Sequence, residues 1–262
     1  MSQFDFPVSS EQPTVPPPET PHVARARRRR ARRAFFPSDA EGQAAMLADL
    51  ARRAYPTYEF FLLSILSGAI LGAGYYFDSQ TVLVFGALSA PLLTPWIGMT
   101  LASITGSLRL FWQTFAALMV GALIVFVIGL IAGFASLPIQ PVTLNQVYNH
   151  ARLWIPDLIV LALGSILLVV TFVRTDTRPY LPSAVVAYGL YLPVSAAGFG
   201  IGAGLLDVWP HAGLIFLVHL AWAVLFGLIA FAFLRFRPLS FGRLVFSAAM
   251  TLAFIATLAY IA

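Results

Sequence analysis

The chain has 262 residues, of which 59% are hydrophobic and 10% are charged. Soluble domains average about 25% charged residues, so this composition excludes a soluble single-core domain and predicts an all-α protein that crosses a membrane several times. All 16 basic residues are arginine, and the absence of cysteine excludes disulfides, thiolate metal sites and cysteine nucleophiles. The four histidines lack the spacing of a zinc site, so neither a metal nor a cofactor is expected.

The N-terminal tail, residues 1–37, has too little apolar content to offset the entropy of folding. We expect it to be disordered and cytoplasmic. Its arginine run either fixes the membrane topology or binds anionic lipid headgroups, and both interpretations stay open. No aromatic residues separate these arginines, so no nucleic-acid partner is expected. The run consists of Arg25, Arg27, Arg28, Arg29, Arg30, Arg32 and Arg33.

One amphipathic segment precedes seven hydrophobic ones. Residues 38–55 begin with a capping box, Ser38 with Glu41, and place apolar residues on one helical face, which predicts a helix on the membrane surface. Each later segment is close to the roughly 20 residues that a bilayer core requires. The seven predicted transmembrane helices are 58–77, 81–106, 111–134, 156–173, 181–206, 213–234 and 245–261.

The arginine distribution favours a topology in which all seven segments cross. With the N-terminus inside, 15 of the 16 arginines are then cytoplasmic and only Arg152 is outside. If segments 81–106 and 181–206 were re-entrant, 13 would be cytoplasmic. We therefore predict the cytoplasmic membrane of a prokaryote, with the N-terminus inside and the C-terminus outside.

An inverted repeat of three plus three spans is predicted from matches that recur at offsets of 100 to 106 residues. Since three spans are an odd number, the second copy must be inverted. The matched pairs include Arg52 with Arg152, Pro56 with Pro156, Pro91 with Pro193, and Gln113 with His219. The predicted division is a first repeat at 56–135, an external loop with an interfacial helix at 136–155, a second repeat at 156–235, and a seventh span at 236–262.

Proline interrupts the hydrophobic pattern once in each half, which predicts two broken helices. Pro91 and Pro95 remove backbone donors and free carbonyls that can bind a cation, while the amides of the next half-helix suit an anion. Two such breaks in inverted halves indicate a transport site near the bilayer midplane, and simple proline kinks are the alternative. The predicted binding residues are Ser89, Pro91, Thr94, Pro95, Gln113, Pro193, Ser195 and His219.

Around these prolines the sequence resembles the prokaryotic hydrophobic family catalogued as domain of unknown function 389. The resemblance rests on Gly-Ala-Leu at 86–88, Ala-Pro-Leu-Leu-Thr-Pro at 90–95 and Gly-Leu-Tyr-Leu-Pro at 189–193, and it spans residues 58–235. Compared with the family pattern, the spacing from glycine to proline in the first motif is one residue shorter. The paired prolines of the second motif are reduced to Pro193. The resemblance implies a polytopic membrane architecture and names no substrate.

His219 is the only ionisable side chain deep in a predicted span, and Gln113 is its counterpart in the repeat. The pair either lines a pore or senses protons, or it makes an interhelical hydrogen bond worth about 0.6 kcal/mol. No carboxylate lies deep in a span, which disfavours ordinary proton-coupled antiport. The Ser, His and Asp residues form no catalytic constellation, so no enzyme is expected.

The function predicted from these features is a small-solute or ion transporter or channel. The alternative is a non-catalytic structural or accessory subunit of a membrane complex. Two Gly-x-x-x-Gly spacings, at 68–72 and 200–204, predict close helix contacts either within the chain or between copies in a homo-oligomer.

Overall fold

The computed structural model describes residues 40–91, 93–139, 143–175, 179–236 and 241–261, which form α-helices and no strand. The arginine run of the tail and Ser38 lie outside the described residues. The prediction of an all-α fold is confirmed for the described ranges. Its helices are α1 (Ala40–Arg53), α2 (Tyr58–Tyr76), α3 (Gln80–Leu88), α4 (Thr94–Thr105), α5 (Leu108–Ser136), α6 (Asn145–His150), α7 (Ile155–Arg174), α8 (Tyr180–Gly202), α9 (Val208–Phe233) and α10 (Phe241–Ile261).

Five helices in the described part of the chain are long and apolar enough to cross a membrane. They are α2, α5 with its short 3₁₀ extension, α7, α8 and α9. The predicted second span is divided into α3 and α4, and the predicted seventh span corresponds to α10, which carries a shorter apolar stretch at Phe241–Ala256. These helices indicate a membrane protein.

Helix α8 is the centre of the bundle. It is hydrophobic on every side, and a helix of this kind must be surrounded by other helices or lipid. Two buried contacts join it to α2: the Tyr75 hydroxyl donates to the Leu192 carbonyl at 2.9 Å, and the hydroxyls of Tyr191 and Ser64 lie 3.0 Å apart. These buried hydrogen bonds fix α8 against the first spanning helix.

Glycines bring α5 and α8 into direct backbone contact. A Cβ atom at Gly198 would overlap the Phe126 carbonyl oxygen, and one at Gly202 would overlap the Leu130 carbonyl oxygen. From the other side, a Cβ at Gly133 would overlap the Phe199 carbonyl. The two helices therefore pack through paired Gly-x-x-x-Gly faces, and the close approach tolerates only glycine.

The first predicted break is present. Helix α3 ends at Leu88 and α4 begins at Thr94. Protein groups satisfy the backbone around the break: the Ser67 hydroxyl donates to the Gly86 carbonyl at 2.8 Å, and the Leu93 amide donates to the Ser183 hydroxyl at 2.8 Å. Because unpaired backbone is costly inside a membrane, these serines stabilise the interruption.

The prediction of a second broken helix is wrong, because α8 continues through Pro193 without interruption. Proline has no amide hydrogen, so the carbonyl four residues earlier, that of Gly189, loses its helical donor. His219 of α9 replaces that donor, with its Nδ1 atom 2.7 Å from the Gly189 carbonyl oxygen. A side chain from another helix thus satisfies the one group that the proline frees, and the helix need not open.

We expect Ser183→Ala to destabilise the protein by about 1–3 kcal/mol, because the buried Leu93 amide loses its acceptor. Thermal unfolding of the purified protein in detergent measures the change. Ser89→Ala is the matched control, since the Ser89 hydroxyl only adds a second bond to the Phe85 carbonyl, which already accepts the Ser89 amide. Equal stability of the two variants would contradict this account of the break.

Contacts at two loops identify the ends of the bundle. The Asp78 carboxylate accepts the amides of Asn145 and Gln146 at 3.2 and 2.7 Å, which places the start of α3 beside α6. Arg53 donates to the carbonyls of Phe172 and Thr175, which places the end of α1 beside the end of α7. An arginine counted above as a topology signal thus also caps a helix C-terminus.

Candidate functional site

A cavity of about 620 Å³ lies along α8. Helices α3, α7 and α9 and the segment between α6 and α7 supply its other walls. Most of the lining side chains are apolar. The lining residues are Val84, Ala87, Leu88, His150, Arg152, Asp157, Val160, Leu161, Leu163, Gly164, Leu167, Leu181, Pro182, Ala184, Val185, Tyr188, Gly189, Pro193 and His219.

The rim of the cavity is apolar and exposed. Leu88 of α3, Leu163 and Leu167 of α7, and Leu181 of α8 all line the cavity and have more than half of their surface uncovered. Exposed apolar side chains on a membrane bundle face hydrocarbon. Exposed apolar side chains of α3, α7 and α8 therefore border the cavity.

His219 of α9 is a buried polar residue in the cavity wall. A carbonyl oxygen can only accept, so the bond to Gly189 requires a hydrogen on Nδ1. In the neutral ring this leaves Nε2 as an acceptor. Nε2 is buried and has no hydrogen-bond partner among the described residues. Pro193 is thus the cause of the tautomer, since it frees the carbonyl that Nδ1 binds.

A hydrogen-bonded chain closes one end of the cavity. The Gln80 side-chain amide donates to the Tyr188 hydroxyl at 2.9 Å, and that hydroxyl lies 3.1 Å from Nε2 of His150. Nδ1 of His150 lies 2.8 Å from the Gln146 carbonyl, so it carries the hydrogen, and Nε2 accepts from Tyr188. The chain links α3, α8 and the short helix α6.

Two charged residues line the same end. Arg152 precedes α7 and is exposed, while Asp157 is half-buried in the first turn of α7. Among the described residues, no ion pair joins these two side chains. All other lining residues except the two histidines are uncharged at any physiological pH, so the permanent charges of the cavity are confined to the α6 end.

Burial lowers the pKa of His150, and this effect outweighs the opposing influence of the Gln146 carbonyl and of Asp157. His219 lowers it further, and the tyrosine rings of residues 75 and 188 pack against it. The folded state therefore favours neutral His150 more than the unfolded state does. The stability this supplies is complete above the unfolded pKa of about 6.5 and decreases as the pH falls below it.

We expect His150→Gln to flatten the pH dependence of the melting temperature below about pH 6.5, because neutral glutamine cannot be protonated there. Melting curves at a series of pH values between neutral and mildly acidic measure the slope. His211→Gln is the control, since His211 is exposed. A slope in the His150 variant as steep as in the natural chain would show that other groups cause the acid sensitivity.

The structure brings only two of the predicted binding residues, Pro193 and His219, to the cavity. Ser89 and Thr94 are half-buried beside the break, and Pro91 and Pro95 are buried there. Ser195 is fully buried, and its hydroxyl has no partner in the described part of the chain. Gln113 is half-buried on α5 and is not a lining residue. Whether any of these eight residues binds a solute stays a prediction.

Sequence reasoning missed His150, Tyr188 and Gln80. These residues lie in three separate segments, and no spacing along the chain links them. The polar run 145–150, Asn-Gln-Val-Tyr-Asn-His, between two apolar segments was the available signal. It predicted an interfacial helix, and that position stays a prediction. The structure has a six-residue helix there, and its last side chain packs against Tyr75 and Tyr188. No group of three or more His, Asp or Glu within the described ranges could hold a metal ion.

Comparison with known proteins gives the family. Residues 88–225 match the domain of unknown function DUF389. The chain belongs to this family. The match contains α4 to α8 and most of α9, and with them the walls of the cavity other than α3. The earlier resemblance at the proline motifs is thereby confirmed.

A curated relative of this DUF389 chain is an uncharacterized protein of Methanocaldococcus jannaschii, 24% identical over 181 residues. The aligned region includes 69% of the present chain and 55% of the relative, so the chain spans about half the length of the relative it matches. No solved structure matches the chain.

Proposed function

We propose that this DUF389 protein is a membrane transporter or channel and that the cavity along α8 is its solute site. The observation that carries the proposal is the extent of the cavity, which runs from the charged residues near α6 to His219 and Pro193 inside the bundle. Pocket volumes of roughly 300–1,000 Å³ suit small-molecule ligands. A site of this size, beside a proline-containing helix and next to a broken one, fits a solute pathway.

The contacts of α3 and α4 support a crossing segment. The start of α3 is held beside α6 through Asp78. A Cβ at Gly98 of α4 would lie 3.2 Å from the Ala54 carbonyl, at the end where Arg53 binds the terminus of α7. Since α7 is a candidate span, these two ends belong to opposite sides of the bundle. This arrangement supports the predicted topology with seven crossings, and the inverted repeat stays part of the proposal.

Flux through proteoliposomes tests the function. We expect the reconstituted protein to release or exchange members of a panel of small anions, cations and neutral solutes faster than empty liposomes do. Ala184→Phe, which places a large ring at the cavity wall, should reduce the flux by at least tenfold. Ala116→Phe adds the same ring at an exposed position of α5 and should not. No flux for any solute would remove the transport proposal.

Cysteine labelling tests the topology cleanly, because the natural chain has no cysteine. We expect a membrane-impermeant reagent added outside to label Asn149→Cys and Asp207→Cys, two exposed positions, but not Ser107→Cys. Permeabilised cells should show labelling at all three. External labelling at position 107 would restore a re-entrant α3–α4 segment.

An accessory membrane subunit is the second candidate, and the confinement of permanent charge to one end of the cavity favours it. Deep charged residues commonly mark ion pathways, and no Asp, Glu, Lys or Arg of the described residues lies on the inner wall beside His219.

Two further proposals concern partners. The arginine run of the tail is proposed to bind anionic lipid headgroups, and its residues lie outside the described part of the chain: Arg25, Arg27, Arg28, Arg29, Arg30, Arg32 and Arg33. Assembly into a homo-oligomer is also a proposal.

A further inference from the structure

We propose that the cavity binds an uncharged, mainly apolar molecule that donates one hydrogen bond to Nε2 of His219. This inference names the class of substrate for the proposed transport site. It rests on the proposed function, which takes the cavity as that site. Three observations carry it: the fixed tautomer of His219, its buried acceptor that has no partner among the described residues, and the apolar wall that surrounds it.

The acceptor is built into the fold. Pro193 removes the amide that would bind the Gly189 carbonyl, and His219 turns Nδ1–H toward that carbonyl. The ring is 4% exposed, so bulk water does not reach it freely. Leaving a buried acceptor unpaired is costly, and a ligand hydroxyl or N–H group would relieve that cost. The ligand therefore carries a donor.

The cavity wall determines that the rest of the ligand is apolar. Val84, Leu161, Leu163, Leu167 and Val185 offer apolar contact along the cavity, and the side chains of its rim are apolar and exposed. A charged molecule would lose its hydration in this part of the cavity without an opposite charge to replace it. The ligand class is thus alcohols, phenols and similar neutral donors that partition into a bilayer.

A comparison of phenol with anisole separates the contribution of the hydrogen-bond donor to binding from that of the apolar ring. Anisole replaces the phenol hydroxyl by a methoxy group that cannot donate. With protein in nanodiscs labelled with ¹⁵N-histidine, phenol should shift the Nε2 resonance of His219 in a saturable way. Compared at equal bilayer concentrations, anisole should bind roughly tenfold more weakly, the ratio that corresponds to the loss of one hydrogen bond.

Three variants keep the test independent of folding. In Pro193→Ala/His219→Leu the acceptor is gone, but the new amide at 193 can pair with the Gly189 carbonyl. A thermal shift should then show equal affinity for phenol and anisole. Ala184→Phe should weaken both probes at least tenfold by filling the cavity, whereas Ala116→Phe should leave both unchanged.

Equal binding of phenol and anisole to the natural chain, or an unshifted His219 resonance, would overturn the inference whatever the flux assay shows. A co-purified phospholipid that phenol cannot displace would also overturn it. Saturable phenol binding together with an absence of flux for every solute, phenol included, would instead overturn the proposed transport function and leave the binding site in place.

Discussion

Gly198→Ala should lower the stability of the folded protein by about 1–3 kcal/mol, the usual cost of overpacking. The added methyl group would overlap the Phe126 carbonyl oxygen and lie 2.9 Å from the Leu130 amide nitrogen. Both atoms belong to the backbone of α5, so no side-chain rotation can make room. Helices α5 and α8 must separate, and the neighbouring contact at Gly202 weakens with them. Thermal unfolding in detergent, followed by the loss of monodisperse protein, measures the effect.

Gly213→Ala provides the control for helix propensity. Gly213 also lies in a spanning helix, α9, but a Cβ there would meet no atom within 4 Å. Alanine favours a helix over glycine by about 1 kcal/mol, so this variant should be as stable as the natural chain or more so. If both alanine variants had the same melting temperature, the close packing of α5 against α8 would not be a source of stability.

The second large effect is expected from His219→Leu. Leucine fills part of the space of the ring but cannot donate, so the Gly189 carbonyl is left buried without its partner from α9. The expected loss is about 1–3 kcal/mol. This loss alone would not distinguish a missing hydrogen bond from altered packing, and a second substitution is needed.

Pro193→Ala supplies that distinction. It restores a backbone amide four residues after Gly189, and this amide can donate to the same carbonyl. We therefore expect His219→Leu to cost at least 1 kcal/mol less in the Pro193→Ala background than in the natural chain. A double-mutant cycle on melting curves gives the coupling directly. Additive costs would show that His219 stabilises the protein by packing and not by replacing the missing donor.

The sequence shows where proline removes a backbone donor, but it does not show whether the helix breaks there. Pro91 and Pro95 lie close together, and the helix is interrupted around them: α3 ends at Leu88, before Pro91, and α4 begins at Thr94 with Pro95 in its first turn. Pro193 removes only one backbone donor. Whether a helix opens at a single proline depends on a partner for the freed carbonyl, and that partner, His219, comes from a different helix. The two sites look alike in sequence and differ in tertiary surroundings.

The same limit applies to the cavity and to the glycine contacts. The spacing of Gly129 and Gly133, and of Gly198 and Gly202, is visible in the sequence, but nothing in it shows that these two pairs face one another. The close helix contact predicted at 68–72 is present, since Gly68 and Gly72 pack on α5. Gly204, in the second predicted spacing, has a φ of +74° just beyond the end of α8, and a Cβ there would meet no described atom within 4 Å. Apolar periodicity identifies helices and leaves their pairing undetermined.

Pro193 also divides α8 mechanically. Beyond it, Gly198 and Gly202 are held against the α5 backbone, so that half cannot tilt. Before it, the helix borders the open cavity, and a proline-containing helix bends most readily in the turn preceding the proline. Bending there would swing the first half of α8 and, through the bond from Ser183 to Leu93, would pull on the interrupted backbone between α3 and α4. Any change in the width of the cavity along the first half of α8 would then be coupled to a displacement of the backbone between α3 and α4.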